Sequence, residues 1–203
     1  MGDLDERLAK YQAQVWDDVP SAFFEKRGIT HSTVTRFGLG YTGQLGRGKA
    51  LDVRRCLVLP YEDGLGKVRQ LRYRPLYSGA SAKYLSTEKQ SHLFAVRALD
   101  NPTVYVCEGE MDTMILWQLG YKAIGLPGAA NWKDEWKWLF RAPHVERAVL
   151  VLDPDEAGMS AARRLYSSLR EVIDVRTVTL PSGLDVNDTL LKYGEATLKE
   201  ALT

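Results

Sequence analysis

Three carboxylates are placed where chemistry would want them. Glu108 closes a short apolar run, TVYVC over 103–107, and is followed by glycine. Asp153 and Asp155 close a second apolar run in AVLVLDPDEAG, residues 148–158. An acid directly after a buried strand is costly to desolvate unless something pairs with it. Two acids flanking one residue at a strand end can point to the same side. Together they can offer oxygens to a hard cation, and Mg²⁺ typically takes one or two carboxylates plus substrate phosphates. Asp153 and Asp155 therefore read as metal ligands, with Pro154 holding Asp153 extended. Glu108 reads as a general base or a further ligand. Asp112 falls at the start of the next apolar-periodic run, and Asp185, in SGLDVNDTLL, adds a third acidic patch. Asp-Pro-Asp is also good turn and cap chemistry, so the pair alone is equally a structural signal.

Placing these acids together requires a particular succession of elements. The pattern predicts strand 103–107, helix 110–119, strand 121–126, helix near 132–140, strand 147–152, helix 156–170 and strand 172–179, with a short helix after Asp185. That βαβαβαβ rhythm points to an α/β fold, a mostly parallel sheet with helices on both faces. In such sheets ligands bind at the carboxyl ends of the strands, where Glu108 and Asp153 fall. Helix N-termini after Gly109 and Asp155 would favour an anionic phosphate there.

The chain upstream is organised differently. Apolar spacing predicts a helix over 4–17, a second over 20–27 stopped by Gly28, and a third capped by Thr30 or Ser32. A glycine-rich loop or linker over 38–48 follows, ending in Arg47 and Lys49. Two strands, 55–61 and 67–74, flank Glu62-Asp63-Gly64-Leu65-Gly66, a hairpin signal. Alternation puts Val68, Gln70, Arg72 and Arg74 on one face of the second strand. Paired arginines on a strand make a rigid binding surface; a solvated sheet face explains them equally well. Ser78 to Lys89 reads as a polar loop carrying Lys83 and Tyr84. The domain boundary is expected at 100/101, giving an N-terminal subdomain 1–100 and an α/β domain 101–203.

Composition narrows the classes. The 203 residues, 45% of them hydrophobic, suffice for one compact domain or two small ones. No long apolar run suggests a membrane span, and the start MGDLDERLAK is charged rather than signal-like. Cys56 and Cys107 lie in apolar runs without zinc spacing, as free thiols of a cytoplasmic protein would. The net charge of +1 hides a polarity: 47–97 holds eleven Lys/Arg against four Asp/Glu. A basic middle joined to an acidic half suits a polyanion held against metal ions. His31, His92 and His144 show no ligand pattern. Trp132 and Trp136 are at helical spacing, which favours packing over base stacking.

Glu108-Gly109 with Asp112, followed by Asp153-x-Asp155 with Ala157-Gly158, resembles the TOPRIM module shared by primases, topoisomerases and some nucleases. FFEKRGITHSTVTRFGLGY, residues 23–41, resembles the helical segment that opens the RNA-polymerase core of bacterial-type primases. Arg55 with LVLPYEDGLGKV, then Arg72, then Lys83-Tyr84-Leu85-Ser86 resembles the basic segment those primases carry before TOPRIM. The resemblance implies a TOPRIM-type sheet preceded by a small helical and β-hairpin subdomain. It implies Glu108 as acid/base or metal-organising carboxylate, Asp153 and Asp155 as ligands of Mg²⁺ or Mn²⁺, and Asp112 and Asp185 as supporting acids. Arg55, Arg72 and Lys83, with Arg74 beside Arg72, would contact nucleotide or template.

The activity implied is metal-dependent synthesis of short RNA primers from NTPs on single-stranded DNA, in a bacterial or phage-infected cytoplasm. Glu110 and Pro154 depart from the family pattern, where an aromatic residue and a glycine are common. The segment before the hairpin is shorter than in bacterial primases, and neither a zinc-binding module nor a helicase domain is seen. A minimal phage- or plasmid-type primase, or a piece of a primase–helicase, is therefore expected. Its partner would be a replicative helicase or a separate template-recognition domain. Two other readings use the same residues: a TOPRIM nuclease whose acids activate water, and a nucleic-acid-binding replication module that does not turn over.

Overall fold

The computed structural model describes residues 3–45, 52–86, 91–181 and 183–202, in two compact units, 1–91 and 92–203. Arg47, Lys49, Glu88 and Lys89 of the basic stretch lie outside the described residues.

The first unit opens with three helices, α1 (Asp3–Gln12), α2 (Asp18–Arg27) and α3 (His31–Arg36). α1 forms because Leu4, Leu8 and Tyr11 share one stripe against the core. It ends at Gln12 rather than Asp17, and the chain continues in turns that bury Val15 and leave Trp16 exposed. α2 stops where Gly28 turns left-handed, φ 66°, and the Ile29 N–H donates to the Phe24 carbonyl at 2.9 Å. Thr30 caps α3, its hydroxyl accepting from the Thr33 N–H.

An antiparallel sheet follows in sequence order: β1 (Gly40–Tyr41), β2 (Cys56–Glu62), β3 (Val68–Pro75) and β4 (Leu85–Ser86). β1 lies inside the stretch expected to be loop. Gly40 permits it, because a Cβ there would sit 2.7 Å from the Tyr11 Cβ. Cys56, Val58, Leu71 and Tyr73 pack on Leu8 and Tyr11 of α1. The predicted hairpin is present, its turn closed by Leu65 and Lys67 N–H groups donating to Asp63 Oδ1 at 2.9 and 3.0 Å. A bulge at Tyr61/Glu62 then pairs Glu62 with Val68. Val68 thereby joins the Leu71–Tyr73 cluster instead of sharing a face with Arg72 and Arg74, as plain alternation predicted.

The second unit is a parallel sheet: β5 (Thr103–Cys107), α4 (Glu110–Gln118), β6 (Ala123–Gly125), β7 (Arg147–Val151), α5 (Glu156–Leu169), β8 (Asp174–Thr177) and α6 (Val186–Leu202). It begins earlier than the expected 101. Phe94 exchanges backbone hydrogen bonds with Gly125 at 2.9 and 3.1 Å, tying the segment before β5 to β6. The helix expected near 132–140 is a 3₁₀ helix, Asp134–Arg141, in which Lys137 meets Asp134 at 2.8 Å across the i,i+3 spacing that a 3₁₀ turn eclipses. The final helix is 17 residues long rather than short, interrupted at Gly194 with φ 82°. Among the described residues no helix is long and apolar enough to cross a membrane.

Strand order is β6-β5-β7-β8. From β5 the chain steps outward to β6; from β7 it steps the opposite way to β8. Right-handed crossovers then put α4 and α5 on opposite faces. The order therefore reverses between β5 and β7, and ligands bind such sheets outside the carboxyl ends at that reversal.

Candidate active site

β5 and β7 run in register from Thr103↔Arg147 to Cys107↔Val151, so their carboxyl ends finish side by side. Glu108 follows the last residue of β5, half-buried, with Oε2 shielded from solvent. Asp153 follows β7 after Leu152 and is also half-buried. The two main predicted carboxylates thus flank the reversal point.

Asp112 joins them from the first turn of α4. It is buried, and its Oδ1 accepts the Asn187 backbone N–H at 3.2 Å, which draws the start of α6 to the same edge. Cys107 registers this convergence. Burial foremost, then the nearby charges of Asp112 and Asp153, pushes its thiol well above the ordinary range. Asp112 and Asp153 therefore both act on the thiol at the end of β5. Gly158 sets the other wall, since a Cβ on it would lie 2.1 Å from the Asp153 carbonyl oxygen. Only glycine lets α5 come this close to the turn that carries Asp153.

Asp155 and Asp185 are committed differently. Asp155 is exposed and caps α5, Oδ1 accepting the Gly158 N–H at 2.7 Å. Asp185 does the same for α6, Oδ1 accepting from the Asp188 N–H at 2.6 Å. Both are helix caps with a second oxygen left over for other work. The turn-and-cap reading of Asp-Pro-Asp is thus realised for its second aspartate.

The donor set is all hard oxygen, which suits a divalent cation of the Mg²⁺ or Mn²⁺ kind. Among the described residues no group of three or more His, Cys, Asp or Glu side chains is assembled as a metal cage. The arrangement fits the mode in which one or two carboxylates share the ion with substrate phosphates and water. Glu108 and Asp153, with Asp112 behind them, are the side chains that would hold it.

The basic residues lie in the first unit. Arg72 and Arg74 project from β3 on one face, opposite Leu59 and Leu57. Arg72 donates to the Tyr61 hydroxyl at 3.0 Å and lies 4.3 Å from the Tyr84 ring centroid. Arg74 donates to the Tyr84 hydroxyl at 2.9 Å and lies 5.3 Å from the Phe23 ring. Aromatic faces hold both guanidinium groups half-buried, which limits their rotamers and leaves a planar cationic surface. Arg55 is set apart at the start of β2. Its φ of 55° is unusual for a non-glycine residue, and its N–H donates to the Gly43 carbonyl at 2.7 Å. With Tyr41, Trp16, Asp17 and Gln14 it lines a cavity of about 710 Å³. Lys83 is exposed beside Tyr84.

Several contributors escaped sequence reasoning. Asn187 acts through its backbone, which carries no residue-type signal. Glu110 is buried in the first turn of α4, where the helix dipole favours a carboxylate. Tyr61 and Phe23 orient the arginines from positions read only as strand and helix. The tryptophans divide: Trp132 is tied in by its N–H to Ser168 at 3.2 Å, whereas Trp138 is exposed.

Residues 105–190 match the family model described as Toprim-like. The chain is 28% identical over 212 residues to a DNA primase of Clostridium acetobutylicum, an alignment covering 85% of this chain and 35% of that protein. It is 28% identical over 155 residues to the Gene 57 protein of Mycobacterium phage D29, covering 73% of this chain and 99% of that one. The chain thus spans about a third of the clostridial protein and matches the phage protein along nearly its whole length. Among solved structures, the Aquifex aeolicus primase (zinc binding and RNA polymerase domains) superposes with a TM-score of 0.84 at 20% identity, covering 98% of this chain and 59% of that one. This likeness shows the fold: a TOPRIM sheet preceded by the helical and hairpin unit.

Proposed function

We propose that this chain is a primase catalytic core, joining NTPs into short RNA primers on single-stranded DNA. The observation that carries the reading is the position of Glu108 and Asp153 at the carboxyl ends of adjacent strands β5 and β7, where the strand order reverses. The Toprim-like match over these residues and the likeness to DNA primases support it.

In this reading Glu108 and Asp153, with the second oxygen of Asp155, would hold a divalent ion against the triphosphate. A bound ion of this kind lowers the pKa of a coordinated hydroxyl and stabilises charge on the leaving oxygens. Glu108 takes the proton from the primer 3′-hydroxyl or orients the group that does. Asp112, fixed by the Asn187 N–H, adds negative potential that favours cation binding. Arg72 and Arg74 bind phosphates as planar donors already oriented by Tyr61, Tyr84 and Phe23. Arg55 and Lys83 supply further positive charge for the nucleotide or template strand. A helicase or template-recognition partner would raise local template concentration.

The test is primer synthesis on single-stranded templates with labelled NTPs and Mg²⁺ or Mn²⁺. Glu108→Gln and Asp153→Asn are expected to lower product on the order of 100-fold or more while leaving the unfolding midpoint in place. Template cleavage without NTPs, lost in the same variants, would replace this reading with a TOPRIM nuclease. Template binding indifferent to both substitutions, with no product under either metal, would leave a binding module.

A further inference from the structure

We propose that Thr113 is a positioning residue for Glu108, and this rests on the reading of Glu108 as part of the metal-binding edge. Thr113 is wholly buried in α4. Its hydroxyl donates to the Gly109 carbonyl at 2.7 Å, the same oxygen that accepts the Thr113 N–H at 3.2 Å. The backbone bond closes the helical turn, and the hydroxyl adds a second donor to the same oxygen, as a helical threonine commonly does. Cys107 Sγ lies 3.1 Å from the same Oγ1. Either atom can donate in this second contact: with the hydroxyl proton on Gly109 the thiol donates, and the thiol also reaches the Ile124 carbonyl at 3.6 Å. Cys107 and Gly109 are the two residues that flank Glu108, so a single buried hydroxyl ties both sides of the residue carrying the carboxylate.

The space for it is prepared from a third side. Gly125, the register partner of Cys107 on β6, faces the hydroxyl. A Cβ there would lie 2.5 Å from Thr113 Oγ1 and 3.0 Å from the Gly109 oxygen. The ends of β5 and β6 and the start of α4 thus meet around one oxygen. Support of this kind fixes the direction in which Glu108 leaves the strand, and outer partners of metal-binding groups commonly contribute on the order of 10–100-fold in affinity or activity.

Three variants separate positioning from packing: Thr113→Val and Thr113→Ala, which lack the hydroxyl, and Thr113→Ser, which keeps it and loses the methyl. Two quantities are measured on the full chain: Mn²⁺ affinity by water-proton relaxation, and kcat and KM for NTP in primer synthesis. The valine and alanine variants are expected to bind Mn²⁺ about tenfold more weakly and to lose kcat in similar proportion. KM for NTP stays unchanged, and serine stays within about twofold of the intact chain. The opposite order, valine tolerated and serine impaired, identifies a packing role and overturns the proposal. Unaltered Mn²⁺ affinity and kcat in the hydroxyl-free variants also overturn it, as does failure of both to fold. An intact chain that makes no primers, but whose Mn²⁺ affinity falls in the hydroxyl-free variants, sinks the primase reading and sustains the positioning one. An intact chain that neither binds Mn²⁺ nor makes primers sinks both.

Discussion

The two sheets hold their polar residues in opposite ways. In the antiparallel sheet the arginines sit along a strand, Arg72 and Arg74 rising from the middle and end of β3, and neighbouring aromatic side chains fix them. In the parallel sheet the central strands β5 and β7 bury Val104, Val106, Cys107 and Ala148 to Val151, and charge is confined to their ends, Arg147 opening β7 and Glu108 and Asp153 following the carboxyl ends. A sheet covered by helices on both faces has no surface for charge, so polar groups move to the strand termini. Backbone shapes this edge: the Asn187 N–H on Asp112, the turn at Gly109, the close approach at Gly158. Backbone changes should therefore damage the acidic edge most, while the basic face should respond mainly to side-chain changes.

The sharpest way to break this contrast is a pair of glycines. Gly158→Ala forces a Cβ to within 2.1 Å of a backbone oxygen, with no flexible side chain to give way. Overpacking of this kind costs about 3 kcal/mol or more, and urea denaturation should show it. Primer synthesis should fall with it, because α5 and the Asp153 turn must separate. Gly64→Ala, in the hairpin of the other sheet, meets nothing within 4 Å. Its effect should stay within about 0.5 kcal/mol. Equal losses in the two variants would remove the distinction.

Much of this contrast is legible in the sequence, and for a physical reason. Strands buried on both faces are continuous apolar runs, so TVYVC and AVLVL announce themselves, and the first polar residue after each marks the site edge. The resemblance extended that reading to Asp112 and to the arginines. What remained hidden depends on contacts distant in the chain. Nothing local to Val68 signals the bulge that moves it off the arginine face. The pairing of Gly40-Tyr41 with β2 depends on Tyr11 of α1, far upstream. The expected boundary at residue 100 missed the Phe94–Gly125 bridge, which links residues on either side of β5. Asn187 contributes an N–H, which every residue but proline has.

On the antiparallel side the prediction concerns charge against shape. Arg74→Ala removes one cation from the aromatic-backed face and should weaken single-stranded DNA binding about tenfold. It should also flatten the slope of log affinity against log salt by roughly 0.7, the share of one phosphate contact on a single strand. Arg74→Lys keeps the charge and hence the slope, but a lysine cannot reproduce the planar contact with the Tyr84 and Phe23 rings. Affinity should drop in the lysine variant without a change in slope, as read by fluorescence anisotropy across a salt series. A lysine variant indistinguishable from the intact chain would mean that the aromatic backing is incidental.

The smallest effect belongs to Asp155, where structural and chemical duties share one side chain. Its Oδ1 caps α5 through the Gly158 N–H. Asp155→Ala removes the cap and should cost about 1 kcal/mol of stability. Asp155→Asn keeps a side-chain oxygen for the cap and removes the charge, so its unfolding midpoint should match that of the intact chain. If the remaining oxygen of Asp155 serves the cation, the asparagine variant loses primer synthesis at full stability. It should then need more Mg²⁺ to reach half-maximal rate. If capping is the whole duty, asparagine restores both stability and rate, and the metal edge narrows to Glu108, Asp112 and Asp153. The acidic edge would then be built from strand ends and the α4 turn alone, with α5 contributing only its close approach at Gly158.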